Sequence, residues 1–258
     1  MKGQIAVGFI SFAFLFRIAT SNVYFDALDF TNLEKSSYWS YKCGGTLVSK
    51  RIILTAAHCF DESNIYAIRI FFGALYSNGT VEPGKKRLIV KRKDIVIHED
   101  WNLYTKYNDI ALIKLPIDVN FNEYIQPAKL PSPSASYIER EATTSGFGIS
   151  SFEVGRRESQ LKYFNVDIIS NDQCYKAMNE DSYKIYPSSY ICIGRSNHTP
   201  CLGDSGGPLI VHNDTASVLV GIVPFVEDGC PVNHPSVYTR VSSYLDWIRK
   251  NAGEVNLI

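Results

Sequence analysis

The chain has 258 residues, enough for one large domain or two packed halves. Apolar residues make up 45% and charged residues 20%, an ordinary globular balance that argues against disorder. Lys and Arg total 26, as do Asp and Glu, so no net charge points to a nucleic acid or a membrane surface as partner.

In chain order, Lys2 precedes an apolar run from Ile5 to Phe16. That run is too short to span a bilayer, which takes about 20 residues. Ala19 and Ser21 are small residues at −3 and −1 of a cut after Ser21, so residues 1–21 read as a secretory signal peptide. A mature, soluble, extracellular chain from residue 22 is expected. Secretion fits six cysteines at 43, 59, 174, 192, 201 and 230, an even number that an oxidising compartment should pair. Sequence alone leaves fifteen pairings open. Sequons begin at Asn78, Asn197 and Asn213; Asn78 and Asn213 are the expected glycan sites, because Pro200 follows Thr199 in the other.

The body alternates short apolar runs with turn residues. GGTLVS, RIILTAA, YAIRIFFGAL, RLIVKRKDIVIH, DIALIKL, QLKYFNVDII, SGGPLIVH, ASVLVGIVPFV and PSVYTRV read as strands: β-branched or aromatic, bounded by Gly, Pro, Asn, Asp or Ser. In KKRLIVKRK (85–93) the basic run is interrupted by Leu88, Ile89 and Val90, which reads as a strand with a solvated face, an anion or heparin patch being the alternative. One clear helix lies at SSYLDWIRKNAG, where Tyr244, Trp247 and Ile248 share a face, Ser can cap the start and Gly253 can end it. The chain is all-β with a C-terminal helix, and PSPSAS (131–136) is the natural link between two β halves.

Three segments carry chemistry together. LTAAHC holds His58, YNDIALIKL holds Asp109, and GDSGGPL holds Ser205. Alone, each has a bland reading as a packed histidine, a turn carboxylate or a turn serine. Together they are the parts of an activated nucleophile: imidazole takes the hydroxyl proton, and a buried carboxylate fixes the imidazole's tautomer. Gly203 and Ser205 present backbone N–H groups to a developing oxyanion. The same GDSGG satisfies the G-x-S-x-G elbow of α/β-hydrolases, but that fold needs the order Ser, Asp, His and alternating helices. The five histidines are scattered, none in H-x-x-x-H spacing, so no metal and no cofactor is expected.

These motifs resemble the chymotrypsin-like (trypsin-like) serine proteases, along with CGGTLVS, SGFG, PSVYTRV and the terminal helix with Trp247. The resemblance runs from about residue 30 to 250. It implies a protease domain over 22–258 of two packed six-stranded antiparallel β-barrels, the first about 30–130 and the second about 137–241, then a helix about 242–252. It implies the pairs Cys43–Cys59, Cys174–Cys192 and Cys201–Cys230. Protein or peptide substrates and macromolecular protease inhibitors are the implied partners, and a monomer is expected.

The resemblance also implies a pocket for the substrate side chain. Thr199 lies at its base, Val226 and Ser236 on its walls, and the Pro224 carbonyl faces substrate. The trypsin-like pattern has aspartate at the Thr199 position, so a basic side chain is disfavoured and a small to medium uncharged one fits. Glu227 and Asp228 read as solvated turn charges at the mouth. Pro224 stands where the pattern has a serine that bonds the triad aspartate. The pattern also pairs the aspartate before the serine, here Asp204, with an N-terminal ammonium freed by proteolysis. Arg17-Ile18 is the nearest candidate cut, yet it falls within the signal reading. A non-catalytic homologue binding a partner through the cleft is the competing expectation.

Overall fold

The computed structural model describes residues 21–29, 38–61, 65–77, 80–149, 158–178, 188–214, 216–224 and 229–253. The signal reading, apart from Ser21, lies outside the described residues, as do Asn78, Thr215, Val226, Glu227 and Asp228.

Seven strands build the first lobe: β1 (Asn22–Asp29), β2 (Tyr38–Leu47), β3 (Ile52–Thr55), β4 (Ile65–Phe72), β5 (Lys86–Lys91), β6 (Ile95–Ile97) and β7 (Ala111–Lys114). They form one antiparallel sheet in the order β5-β4-β1-β2-β3-β7-β6. The expected six-stranded barrel is thus met as a seven-stranded, barrel-like sheet. The reason lies in RLIVKRKDIVIH, which reads as one strand but breaks at a 3-10 turn, Arg92–Asp94, with no buried residue. The two edge strands, β5 and β6, are therefore consecutive in the chain, and the chain itself joins the two edges of the sheet.

β1 begins earlier than the expected start near residue 30. Val23, Phe25 and Ala27 pack into the core of the first lobe, and Asn22, Tyr24 and Asp26 between them are buried too, so β1 is covered on both faces. Ser21 is buried as well, and its carbonyl accepts from Leu47 N at 2.9 Å. β3 reads Ile-Ile-Leu-Thr, is buried on both faces, and pairs with β2 and β7.

The second lobe holds β8 (Glu141–Gly146), β9 (Lys162–Ile169), β10 (Tyr190–Ile193), β11 (Pro208–His212), β12 (Ser217–Ile222) and β13 (Ser236–Arg240). These close a six-stranded barrel in the order β10-β13-β12-β11-β8-β9, β9 and β10 pairing through Cys192↔Ile169. Closure removes the edges that would otherwise template aggregation.

Two helices complete the described residues. α1 (Asn171–Met178) has no counterpart among the sequence expectations. A reciprocal cap starts it: Gln173 N donates to Ser170 Oγ at 3.1 Å, and Ser170 N to Gln173 Oε1 at 2.9 Å. α2 (Leu245–Ala252) is the expected C-terminal helix, with one correction. Its N-cap is Tyr244, without a side-chain cap, because Ser242 and Ser243 belong to a preceding 3-10 turn, Val241–Tyr244. Gly253 ends it at φ +74°. Its buried Trp247 and Ile248 pack into the core of the first lobe, so the last described element straps the second lobe to the first.

All three expected cystines are present, Cys43–Cys59, Cys174–Cys192 and Cys201–Cys230. The all-β lobes and the order His, Asp, Ser rule out the α/β-hydrolase elbow.

Candidate active site

His58 sits in a 3-10 turn, Ala57–Phe60, directly after β3. The Cys43–Cys59 cystine fastens that turn to β2. Cys43, His58 and Cys59 form one cluster of metal-type ligands, but both sulfurs are spent on each other.

Asp109 is fully buried just before β7. Its two oxygens divide between backbone and ring. His58 N–H donates to Oδ1 at 2.9 Å, and His58 Nδ1 lies 2.8 Å from Oδ2. A carboxylate accepts only, so Nδ1 carries the proton and neutral His58 keeps its lone pair on Nε2. The segment before Asp109 is braced from the second lobe and the C-terminal turn. Thr239 Oγ1 donates to the Asp109 carbonyl at 3.0 Å, Tyr190 OH to the Lys106 carbonyl at 2.9 Å, and Tyr244 OH to Asn108 Oδ1 at 3.0 Å. Lys106 and Asn108 hold positive φ of 61° and 59°. Such strained residues persist only where surroundings fix them. These braces were not legible in the sequence; three hydroxyls far away in the chain give no local pattern.

Ser205 lies in the turn ending at β11 and is nearly buried. Its carbonyl accepts from Gly44 N at 2.7 Å, which ties the serine turn to β2. Gly206 has φ +76°, and a Cβ there would collide with Thr55 Oγ1 and the Gly44 carbonyl. Thr55 and Gly44 flank the histidine turn, so the glycine allows the serine turn to lie against it. The structure thus brings His58, Asp109 and the Ser205 turn together at the seam of the lobes.

Asp204 lies beneath the same turn. Cys201 N and Gly148 N donate to its two oxygens at 2.9 and 2.8 Å. Loss of hydration pushes its carboxyl up to about 6, against the pull of those donors, and no described cation acts on it. It lines a cavity of about 510 Å³ with Ser145, Gly146, Gly148, Asn197 and Thr199. Gly146 and Gly148, from the SGFG motif, leave the room that its carboxylate fills.

A second, much smaller cavity of about 60 Å³ is lined by Thr199, Val223, Pro224, Cys230, Ser236 and Val237. Thr199 Oγ1 and Ser236 Oγ are hydrogen-bonded at 3.2 Å in its lining. Thr199, Pro224 and Ser236 therefore meet as expected, while Val226 is not among the described residues. Asn213 is exposed in the turn between β11 and β12, where its Oδ1 accepts from Ala216 N at 2.7 Å.

The family model described as Trypsin matches residues 28–248. Collagenase of Hypoderma lineatum is 32% identical over 265 residues, spanning 98% of this chain and 88% of that protein. Trypsin beta of Drosophila erecta is 34% identical over 222 residues, 86% and 82% of the two chains. Chymotrypsin of Phaedon cochleariae is 34% identical over 217 residues, 83% and 73%. A solved structure of HL collagenase superposes with a TM-score of 0.74 at 31% identity, covering 96% of this chain and 98% of that one. The class is that of serine endopeptidases, enzymes that act on proteins or peptides. The chain belongs to their chymotrypsin-like family. Three relatives carry three different activity names at near-equal identity, so likeness alone assigns no specificity.

Proposed function

We propose that this protein is a secreted endopeptidase that cleaves after small to medium uncharged residues by acyl transfer through His58, Asp109 and Ser205. The observation that carries the reading is the two-point contact of Asp109 with His58, which with Nδ1 as donor leaves the lone pair of the neutral ring on Nε2 to act as the base. In the reaction, Nε2 takes the Ser205 proton as Oγ attacks the scissile carbonyl. The imidazolium is stabilised by the Asp109 charge and then hands its proton to the leaving amine. The Gly203 and Ser205 N–H groups take the developing oxyanion; losing one such donor typically costs about 10²–10³ in rate. Water repeats the sequence on the acyl-enzyme.

The pocket supports the specificity. About 60 Å³ accommodates two or three methyl-sized groups, and among its described lining residues a Thr199–Ser236 hydroxyl pair forms the polar floor and no carboxylate stands ready for Arg or Lys. Pro224 contributes a carbonyl to substrate and no donor. Asp204 is assigned to activation: the large cavity beside a carboxylate on which no described cation acts suits a terminal ammonium, whose charge would lower the carboxyl's pKa and fix the serine turn. Three cystines, the apolar leader, and glycans on Asn78 and Asn213 belong to the same secreted reading.

A peptide library digested with the purified protein, Ser205→Ala as control, tests this. Cleavage after Ala, Val, Thr or Leu that Ser205→Ala lacks is expected. A preference for Arg or Lys overturns the pocket assignment, and equal cleavage by Ser205→Ala overturns the nucleophile.

A further inference from the structure

We infer that Tyr41 is a positioning residue for the oxyanion hole: its phenol clamps the Gly203 carbonyl and so fixes the direction of the Gly203 N–H. The inference rests on the acyl-transfer reading and adds a group from the opposite lobe to it.

Two peptide planes meet at Gly203. The first, Leu202–Gly203, carries the N–H assigned to the oxyanion. Its carbonyl accepts from Ile149 N at 3.0 Å. A trans peptide is planar, so pinning that carbonyl points the N–H the opposite way. The second plane, Gly203–Asp204, is held at both ends. Asp204 N–H donates to the Cys201 carbonyl at 2.8 Å, and the Gly203 carbonyl accepts the Tyr41 hydroxyl at 2.9 Å. Gly203 adopts φ +102°, a conformation that glycine reaches and also leaves at little cost. External bonds must therefore supply its rigidity. Ile149 supplies one from the second lobe and Tyr41 the other from β2 of the first.

Tyr41 is itself immobilised independently of that bond. Its ring stacks on Tyr24 at 5.7 Å and 14°. Tyr24 stacks on Phe71 at 4.6 Å and meets Phe147 edge-on at 4.9 Å. The phenol is a neutral donor, so it holds the turn without competing for the Asp204 carboxylate. The arrangement also makes the geometry of the hole depend on how the two lobes are docked.

Tyr41→Phe removes the hydroxyl and keeps the stack. Two measurements on the full mature protein test it. Amide hydrogen exchange in the 201–207 segment should quicken in Tyr41→Phe, with a thermal midpoint near that of the unaltered chain. In pre-steady-state acetylation by p-nitrophenyl acetate, the acylation constant should fall about tenfold at unchanged apparent binding, a fraction of the effect of losing a whole oxyanion donor. Unaltered exchange, an unaltered acylation constant, or an effect confined to binding and the thermal midpoint overturns the clamp. Ser205→Ala separates the two readings: if it is acetylated as fast as the unaltered chain, acyl transfer fails, while the exchange result still decides whether Tyr41 holds the turn.

Discussion

The two lobes present two buried carboxyl groups to one seam, and their surroundings are opposite. Asp109 meets a histidine with both oxygens and stands on a segment braced by Thr239, Tyr190 and Tyr244. Asp204 receives two backbone amides, borders a cavity of about 510 Å³ and has no described cation to answer its charge. Burial alone therefore does not define a role. The partner does: Asp109 holds a histidine ring, whereas the described hydrogen bonds of Asp204 come from backbone amides.

The largest expected effect is on the satisfied side of that contrast. Asp109→Asn preserves shape but offers His58 Nδ1 an amide in place of an acceptor, which favours the wrong tautomer. Turnover should fall about 10⁴-fold with little change in substrate binding. Steady-state kinetics checks this, and a loss under tenfold would remove the carboxylate from the mechanism. Gly206→Ala breaks the junction between the sides. Positive φ and the collision with Thr55 and Gly44 should cost about 2–4 kcal/mol, read as a lowered denaturant midpoint. Ser236→Gly opens the small pocket and should shift preference toward larger apolar side chains about tenfold, measured as a ratio of kcat/KM values.

The smallest effect is on Asp204. Its folded carboxyl titrates near 6 and an ordinary unfolded one near 4, so the folded chain binds more protons between those values. The contribution of Asp204 to stability is present below about pH 4 and lost as pH rises through about 6. Asp204→Asn should flatten that part of a thermal-midpoint profile by a few degrees. An ammonium docked on Asp204 reverses the sign, so a profile that rises over the same window would show the charge already answered.

Much of the site was legible because it is local. TAAHC, NDIALIKL and GDSGG each keep a candidate catalytic residue beside the turn or strand that positions it, and β-branched or aromatic runs bounded by turn residues gave most of both lobes. β1 was missed because Asn22 follows directly on the apolar leader, whose pattern dominates its surroundings. β8 was missed because it buries Thr143, Thr144 and Ser145, polar residues with no apolar period to show. α1 is short, yet its Ser170-x-x-Gln173 cap was there to read. Tyr41 and the braces of Asp109 act across the seam from far away in the chain, and no spacing rule connects them.

The most direct test of the nucleophile is intact-mass and peptide-level mass spectrometry after treatment of the mature, three-cystine protein with a fluorophosphonate. The account predicts one adduct, on the peptide containing Ser205, absent from Ser205→Ala and slowed in Asp109→Asn. No adduct on the folded protein, or an adduct that persists in Ser205→Ala, would contradict it.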